Sequence, residues 1–129
     1  MRTALGRFVY IVDDDEAVRD SMRLLLESCD IAVRDYPNAD DFLKADASDM
    51  ACLLLDLHMP GTSGVELLRQ IRARGVTLPV IVISGRRDGA LDAEFRAAGA
   101  TALLAKPFND EALLVMVRQA LDAGQTDGR

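Results

Sequence analysis

Five short apolar runs punctuate the chain: Phe8–Val12, Ile31–Val33, Met50–Leu55, Val80–Ile83 and Ala102–Ala105. Each is near-continuous rather than alternating, the pattern of parallel strands covered on both faces. Parallel neighbours need long crossovers, and the intervening stretches read as amphipathic helices. Val18, Met22, Leu25, Leu26 and Cys29 fall on one helical stripe. Ser63-Gly64-Val65-Glu66 is a capping box opening a helix whose core face is Val65, Leu68 and Ile71. Asp88 is placed to cap a fourth helix that ends before Gly99. Asn109 is placed to cap a fifth, with Leu113, Leu114, Val117 and Leu121 inward. The second helix, about Ala39–Ala45, has the faintest pattern. Five strand–helix units with right-handed crossovers make a doubly wound α/β sandwich.

With 129 residues, half of them hydrophobic, the chain is long enough for one self-sufficient core and too short for two. Its 21 acids against 15 bases give a formal charge of −6, which argues against a free-standing nucleic-acid binder. No apolar run approaches the roughly 18–20 residues of a membrane-spanning helix. The N-terminal segment lacks a signal-peptide core. Cys29 and Cys52 have no C-x-x-C spacing and sit among apolar residues, so both read as buried free thiols in a reducing cytoplasm. The tail Gly124–Arg129 reads as frayed. A start at Met1 and a tagless Gly-Arg end favour a natural single-domain protein.

In doubly wound sheets, chemistry gathers beyond the carboxyl ends of the strands. Asp13, Asp14 and Asp15 follow the first run, Asp56 the third, Ser84 the fourth and Lys106-Pro107 the fifth. Alone, each has a plain reading: a solvated helix cap, a strand-end hydroxyl, a snorkelling amine. Together they place carboxylates, a hydroxyl and an ammonium on one edge. Lys106 is one of only two lysines beside thirteen arginines, and a buried point charge is a task that suits lysine. Carboxylates about 4 Å apart repel by about 4 kcal/mol at an effective dielectric near 20. A hard divalent cation removes that repulsion, and an all-oxygen set with room for water suits Mg²⁺. The same cation bridges a phosphoryl group, a carboxylate is a nucleophile able to accept it, and an ammonium offsets the added charge.

These residues sit in four motifs: Asp13-Asp14; Asp56-Leu57-His58-Met59-Pro60-Gly61-Thr62-Ser63-Gly64; Ile83-Ser84-Gly85; and Lys106-Pro107-Phe108. In that order at matching strand ends, they make the chain resemble the receiver domain of bacterial two-component response regulators, over residues 7 to 122. Residues 1–6 would be an extension and 123–129 the tail. The resemblance implies a flavodoxin-like (βα)5 three-layer sandwich, like that of chemotaxis signalling proteins, with sheet order 2-1-3-4-5. It implies that Asp56 accepts a phosphoryl group from a sensor histidine kinase or histidine phosphotransfer protein. Asp14 would bind Mg²⁺ directly and Asp13 through water, with Asp56 and the His58 main-chain carbonyl completing the protein ligands. Ser84 would bond a phosphoryl oxygen and Lys106 pair with it, the bond to Pro107 being cis. Asp15 competes for the acidic-pair role, but the first run stops at Val12 and Arg19 falls in the family's usual frame, which favours Asp13 and Asp14.

The chain departs from the family pattern at Leu103, where the switch position three residues before the lysine usually holds Tyr or Phe. Ser84 stands where Thr is commoner. Arg86 and the His58 side chain stand where the family tunes phosphate lifetime, and Arg86 or Arg87 is expected to contact the phosphoryl group or screen it from water. Arg69, Arg72 and Arg74 make a basic patch, read as solvated or as a contact surface. The implied function is a cytoplasmic phosphorylation switch, not an enzyme beyond its own phosphorylation and dephosphorylation. Phosphate would alter a surface around 88–98 and 109–121 that binds a downstream effector protein, with a phosphorylation-dependent homodimer as one form of output. No nucleic acid or membrane partner is implied. The alternatives are a non-switching interaction adaptor and an aspartyl-phosphate phosphohydrolase. The latter needs a second carboxylate where His58 stands. Neither nucleotide-binding glycine motif occurs.

Overall fold

The computed structural model describes residues 7–56, 63–85 and 89–127, with side chains for all of these except 89–92 and 123–127. Five strands alternate with five helices: β1 (Phe8–Val12), α1 (Glu16–Ser28), β2 (Val33–Tyr36), α2 (Ala39–Lys44), β3 (Met50–Asp56), α3 (Gly64–Ala73), β4 (Val80–Ser84), α4 (Gly89–Ala97), β5 (Ala102–Ala105) and α5 (Asp110–Asp127). All neighbouring strands pair parallel, in the order β2-β1-β3-β4-β5. The fold is the expected flavodoxin-like α/β sandwich.

The strand pleat splits the core into two layers. Tyr10, Val12, Leu53, Leu55, Val80 and Val82 face α2, α3 and α4, where Phe42, Leu68 and Phe95 are buried with them. Val9, Ile11, Cys52, Leu54, Ile81 and Ile83 face the other way, onto Met22 and Leu26 of α1 and Leu113 and Val117 of α5. The central strands are thus apolar on both faces, which is why they read as unbroken runs.

β2 is the misplaced element. It lies at Val33–Tyr36, not Ile31–Val33. As an edge strand it pairs only with β1, and its polar residues are satisfied by ion pairs: Arg34 with Asp49, and Asp35 with Arg19. Ile31 instead closes the end of α1, its N–H donating to the Leu26 carbonyl after Asp30 takes a φ of 64°. That left-handed conformation is one Asp tolerates.

The caps at Asn38, Ser63 and Asn109 each accept a main-chain N–H, from Asp41, Glu66 and Ala112. Asp88 lies outside the described residues. α5 continues through Gly124 to Asp127, past the point at which the tail was expected to fray. A lone glycine in a helix costs only about 1 kcal/mol. Cys52 is buried as expected, but Cys29 is half-buried, because it caps the exposed end of α1.

The basic patch on α3 is also corrected. Arg72 is half-buried and donates to the carbonyls of Val76, Leu78 and Gly99, tying α3 to the start of β4 and the end of α4. Gly99 makes this approach achievable: its φ is 109°, and a Cβ there would stand 2.8 Å from Arg72 Nε. Arg69 pairs with Glu94 across α3 and α4 at 3.6 Å.

Candidate functional site

The strand order reverses at β1, so the carboxyl ends of β1 and β3 form the switch point of the sheet. Register sets the height of each functional residue there. Val12 pairs with Leu55, Asp56 with Ile83, and Ser84 with Ala105. Asp13, Asp56, Ser84 and Lys106 therefore reach the same edge from four adjacent strands.

Asp13 continues the β1 ladder by one bond, its N–H donating to the Tyr36 carbonyl. Its side chain is fully buried. Oδ1 accepts from the Asp15 N–H at 2.8 Å, while Oδ2 is buried with no hydrogen-bond partner. Asp14 is exposed, and Asp56 is 4% exposed. One carboxylate oxygen from each of Asp13, Asp14 and Asp56 lies within 4.8 Å of the others. Asp15, the competing acid, is the N-cap of α1, its Oδ1 accepting from the Val18 N–H, and is not in the cluster.

Burial raises the Asp13 carboxyl from its ordinary 3.8 to about 6. The Asp15 N–H opposes that rise, the charges of Asp56 and Asp14 add to it, and Lys106 offsets part of it. Lys106 Nζ stands 3.6 Å from Asp56 Oδ1, and the Lys106 N–H donates to the Ser84 carbonyl at 2.7 Å. Ser84 is buried. The Lys106–Pro107 bond is cis, as the resemblance implied.

A hard divalent cation fits these residues. The donors are all carboxylate oxygens, two of the three residues are buried, and one of them, Asp13, carries an orphaned buried oxygen. His58, Arg86 and Arg87 lie outside the described residues. Leu103, at the usual aromatic position, is half-buried against the α2, α3 and α4 layer.

Arg19, which the sequence places only in the family's frame, makes two contacts behind the site. From α1 its Nη1 donates to the Asp13 carbonyl at 2.7 Å, while Nε donates to Asp35 Oδ2 at 2.9 Å. The legible signal was an arginine six residues beyond the first carboxylate, in a helix starting directly after it. Its acidic partner on β2 was hidden by the misplacement of that strand.

Residues 9–118 match the family described as "Response regulator receiver domain". The chain is 43% identical over 122 residues to the transcriptional regulatory protein FixJ of Azorhizobium caulinodans, covering 94% of this chain and 58% of that protein. It is 38% identical over 114 residues to the response regulator protein TodT of Pseudomonas putida, covering 88% of this chain and 50% of that one. The chain thus spans little more than half the length of these relatives. Among solved structures, a CheY-like receiver domain protein from Methanospirillum hungatei matches with a TM-score of 0.86 at 28% identity, over 94% of this chain and 98% of that one. Full-length FixJ from B. japonicum matches with a TM-score of 0.86 at 33% identity, over 95% of this chain and 61% of that one. By sequence, fold and the placement of its acidic edge, the chain belongs to the response regulator receiver domain family.

Proposed function

We propose that the chain is a phosphorylation-dependent signalling switch whose phosphoryl acceptor is Asp56. The observation that carries this reading is the buried Asp56 carboxylate, flanked by Lys106 at 3.6 Å and by Asp13 and Asp14 within 4.8 Å. An Asp56 oxygen attacks the phosphorus of a phosphohistidine on a sensor kinase or phosphotransfer protein. An O–P bond forms as the N–P bond breaks, and the electron pair leaves on the donor imidazole. Asp13, Asp14 and Asp56, with the His58 carbonyl that the family resemblance implies, would hold the cation, which would supply positive charge to the phosphoryl oxygens. Lys106 pairs with the transferred group and the Ser84 hydroxyl donates to it. The receiver unit is residues 7–122, its location cytoplasmic, and its chemistry limited to its own phosphorylation and dephosphorylation.

Phosphate on Asp56 draws Ser84 and Lys106 towards it and shifts a pre-existing equilibrium on the surface around 88–98 and 109–121, where an effector protein or a second copy of the chain binds. A second reading, a non-switching adaptor, is favoured by one observation: Leu103 already packs on the α2, α3 and α4 layer, where an aromatic ring would otherwise change position. Intact mass after incubation with a small acyl phosphate separates them. A single added phosphate that requires Mg²⁺ and is absent from Asp56→Asn supports the switch. No phosphate with any donor supports the adaptor.

A further inference from the structure

The Asp13–Asp14 peptide is the joint between β1 and α1, and it decides where both carboxylates point. Asp13 is held at three places. Its N–H donates to the Tyr36 carbonyl at 3.2 Å, its Oδ1 accepts from the Asp15 N–H at 2.8 Å, and its carbonyl accepts from Arg19 Nη1 at 2.7 Å. The first two belong to the strand ladder and the turn. The third comes from a side chain that is itself fixed on its other edge, since Arg19 Nε donates to Asp35 Oδ2 at 2.9 Å. Both side chains of that pair are largely buried, Arg19 at 13% exposure and Asp35 at 16%. Arg23 donates to the second Asp35 oxygen and to Glu27, so the position of Asp35 is fixed in turn.

We infer that Arg19 is a positioning residue of the acidic site, with Asp35 as its anchor, setting the plane of the Asp13–Asp14 peptide and hence the cation affinity of the cluster. The inference rests on reading Asp13, Asp14 and Asp56 as a Mg²⁺ site. The mechanism is geometric rather than electrostatic. Two arginines, Asp35 and Glu27 form a group with no net charge. Because peptide units are planar, a donor fixing the Asp13 carbonyl also fixes the Asp14 N–H and the direction in which Asp14 leaves the strand. A planar guanidinium bridges a carbonyl and a carboxylate at once, and an ammonium does so poorly.

The test is a Mg²⁺ titration followed by the amide resonances of Asp14 and Asp15 in ¹H–¹⁵N spectra, with urea unfolding in EDTA run in parallel. Wild type is expected to saturate with shifts at both amides; a wild type that shows no Mg²⁺-dependent shifts refutes the site and the inference with it. Arg19→Met is expected to raise the Mg²⁺ dissociation constant about tenfold, as loss of an outer partner does at other metal sites. Arg19→Lys should fall between the two. If Arg19→Met does not fold, Asp35→Asn is titrated instead and should weaken binding in the same direction. Wild-type Mg²⁺ affinity in Arg19→Met or, where that variant is unfolded, in Asp35→Asn overturns the positioning role while leaving the Mg²⁺ site standing, even if unfolding in EDTA becomes easier.

Discussion

Asp13→Asn should make the metal-free protein more stable. Asp13 is fully buried, one of its oxygens has no partner, and two further carboxylates lie within 4.8 Å. Together burial and those neighbours hold its carboxyl at about 6, against an ordinary 3.8. At 1.36 kcal/mol per pH unit, that displacement makes the ionised form about 3 kcal/mol worse in the folded chain than in the unfolded one. Asparagine keeps an oxygen to accept from the Asp15 N–H and places a donor where the orphaned oxygen stands. Because the amide must itself be satisfied in a buried place, the recoverable part is about 1–3 kcal/mol. In urea with EDTA at pH 7.5 the midpoint should rise by about 1 M.

The pH dependence has a fixed sign. The folded value lies above the unfolded one, so the favourable contribution of the wild-type carboxyl is present below about pH 4 and lost as pH rises through 6. The gain from Asp13→Asn should therefore be small at pH 4, grow between 4 and 6, and level off above. Mg²⁺ should stabilise wild type by about 2.7 kcal/mol at a hundredfold excess over its dissociation constant, and the variant by much less. Coincident unfolding curves in EDTA at pH 7.5, or a gain independent of pH, would refute the reasoning.

The ammonium of Lys106, 3.6 Å from Asp56 Oδ1, already offsets negative charge in the acidic cluster and would repel a bound cation. Lys106→Met should lower metal-free stability by about 1 kcal/mol, because the 3.6 Å pair with Asp56 is lost from a partly screened place, and should tighten Mg²⁺ binding. Unchanged or weaker Mg²⁺ binding, read by titration, would contradict that view of Lys106. Gly99→Ala forces a Cβ into both a φ of 109° and a 2.8 Å approach to Arg72, and should cost about 1–3 kcal/mol in urea unfolding. A loss under 0.5 kcal/mol would show that the tie between α3 and α4 yields easily.

Much of this was legible in the residues. The runs at β1, β3 and β4 carry buried positions on both faces, and the edge strand β5 has Leu104 buried on one face and Leu103 half-buried on the other, so an unbroken apolar string marks all four. β2 escaped because an edge strand needs only one covered row and fills the other with Arg34 and Asp35, whose partners Asp49 and Arg19 lie far away in sequence. Arg72 is one basic residue among others on its helix until its three carbonyl acceptors are seen, of which only Gly99 is distant in sequence. Asp13, Asp14 and Asp15 are chemically equal in a string. Only the end of the β1 ladder separates a buried site carboxylate from the cap of α1. Strand-end position told which polar residues share one edge, but not that Arg19 binds the Asp13 carbonyl behind them.

The central claim is that Asp56 is the phosphoryl acceptor. Aspartyl phosphates are reduced by borohydride to homoserine, so the protein is treated with a small acyl phosphate and Mg²⁺, reduced, digested and sequenced by mass spectrometry. The account predicts homoserine at residue 56 alone, and none when Mg²⁺ is removed. Homoserine at Asp13 or Asp14, or at no position despite a bound phosphate, would contradict it.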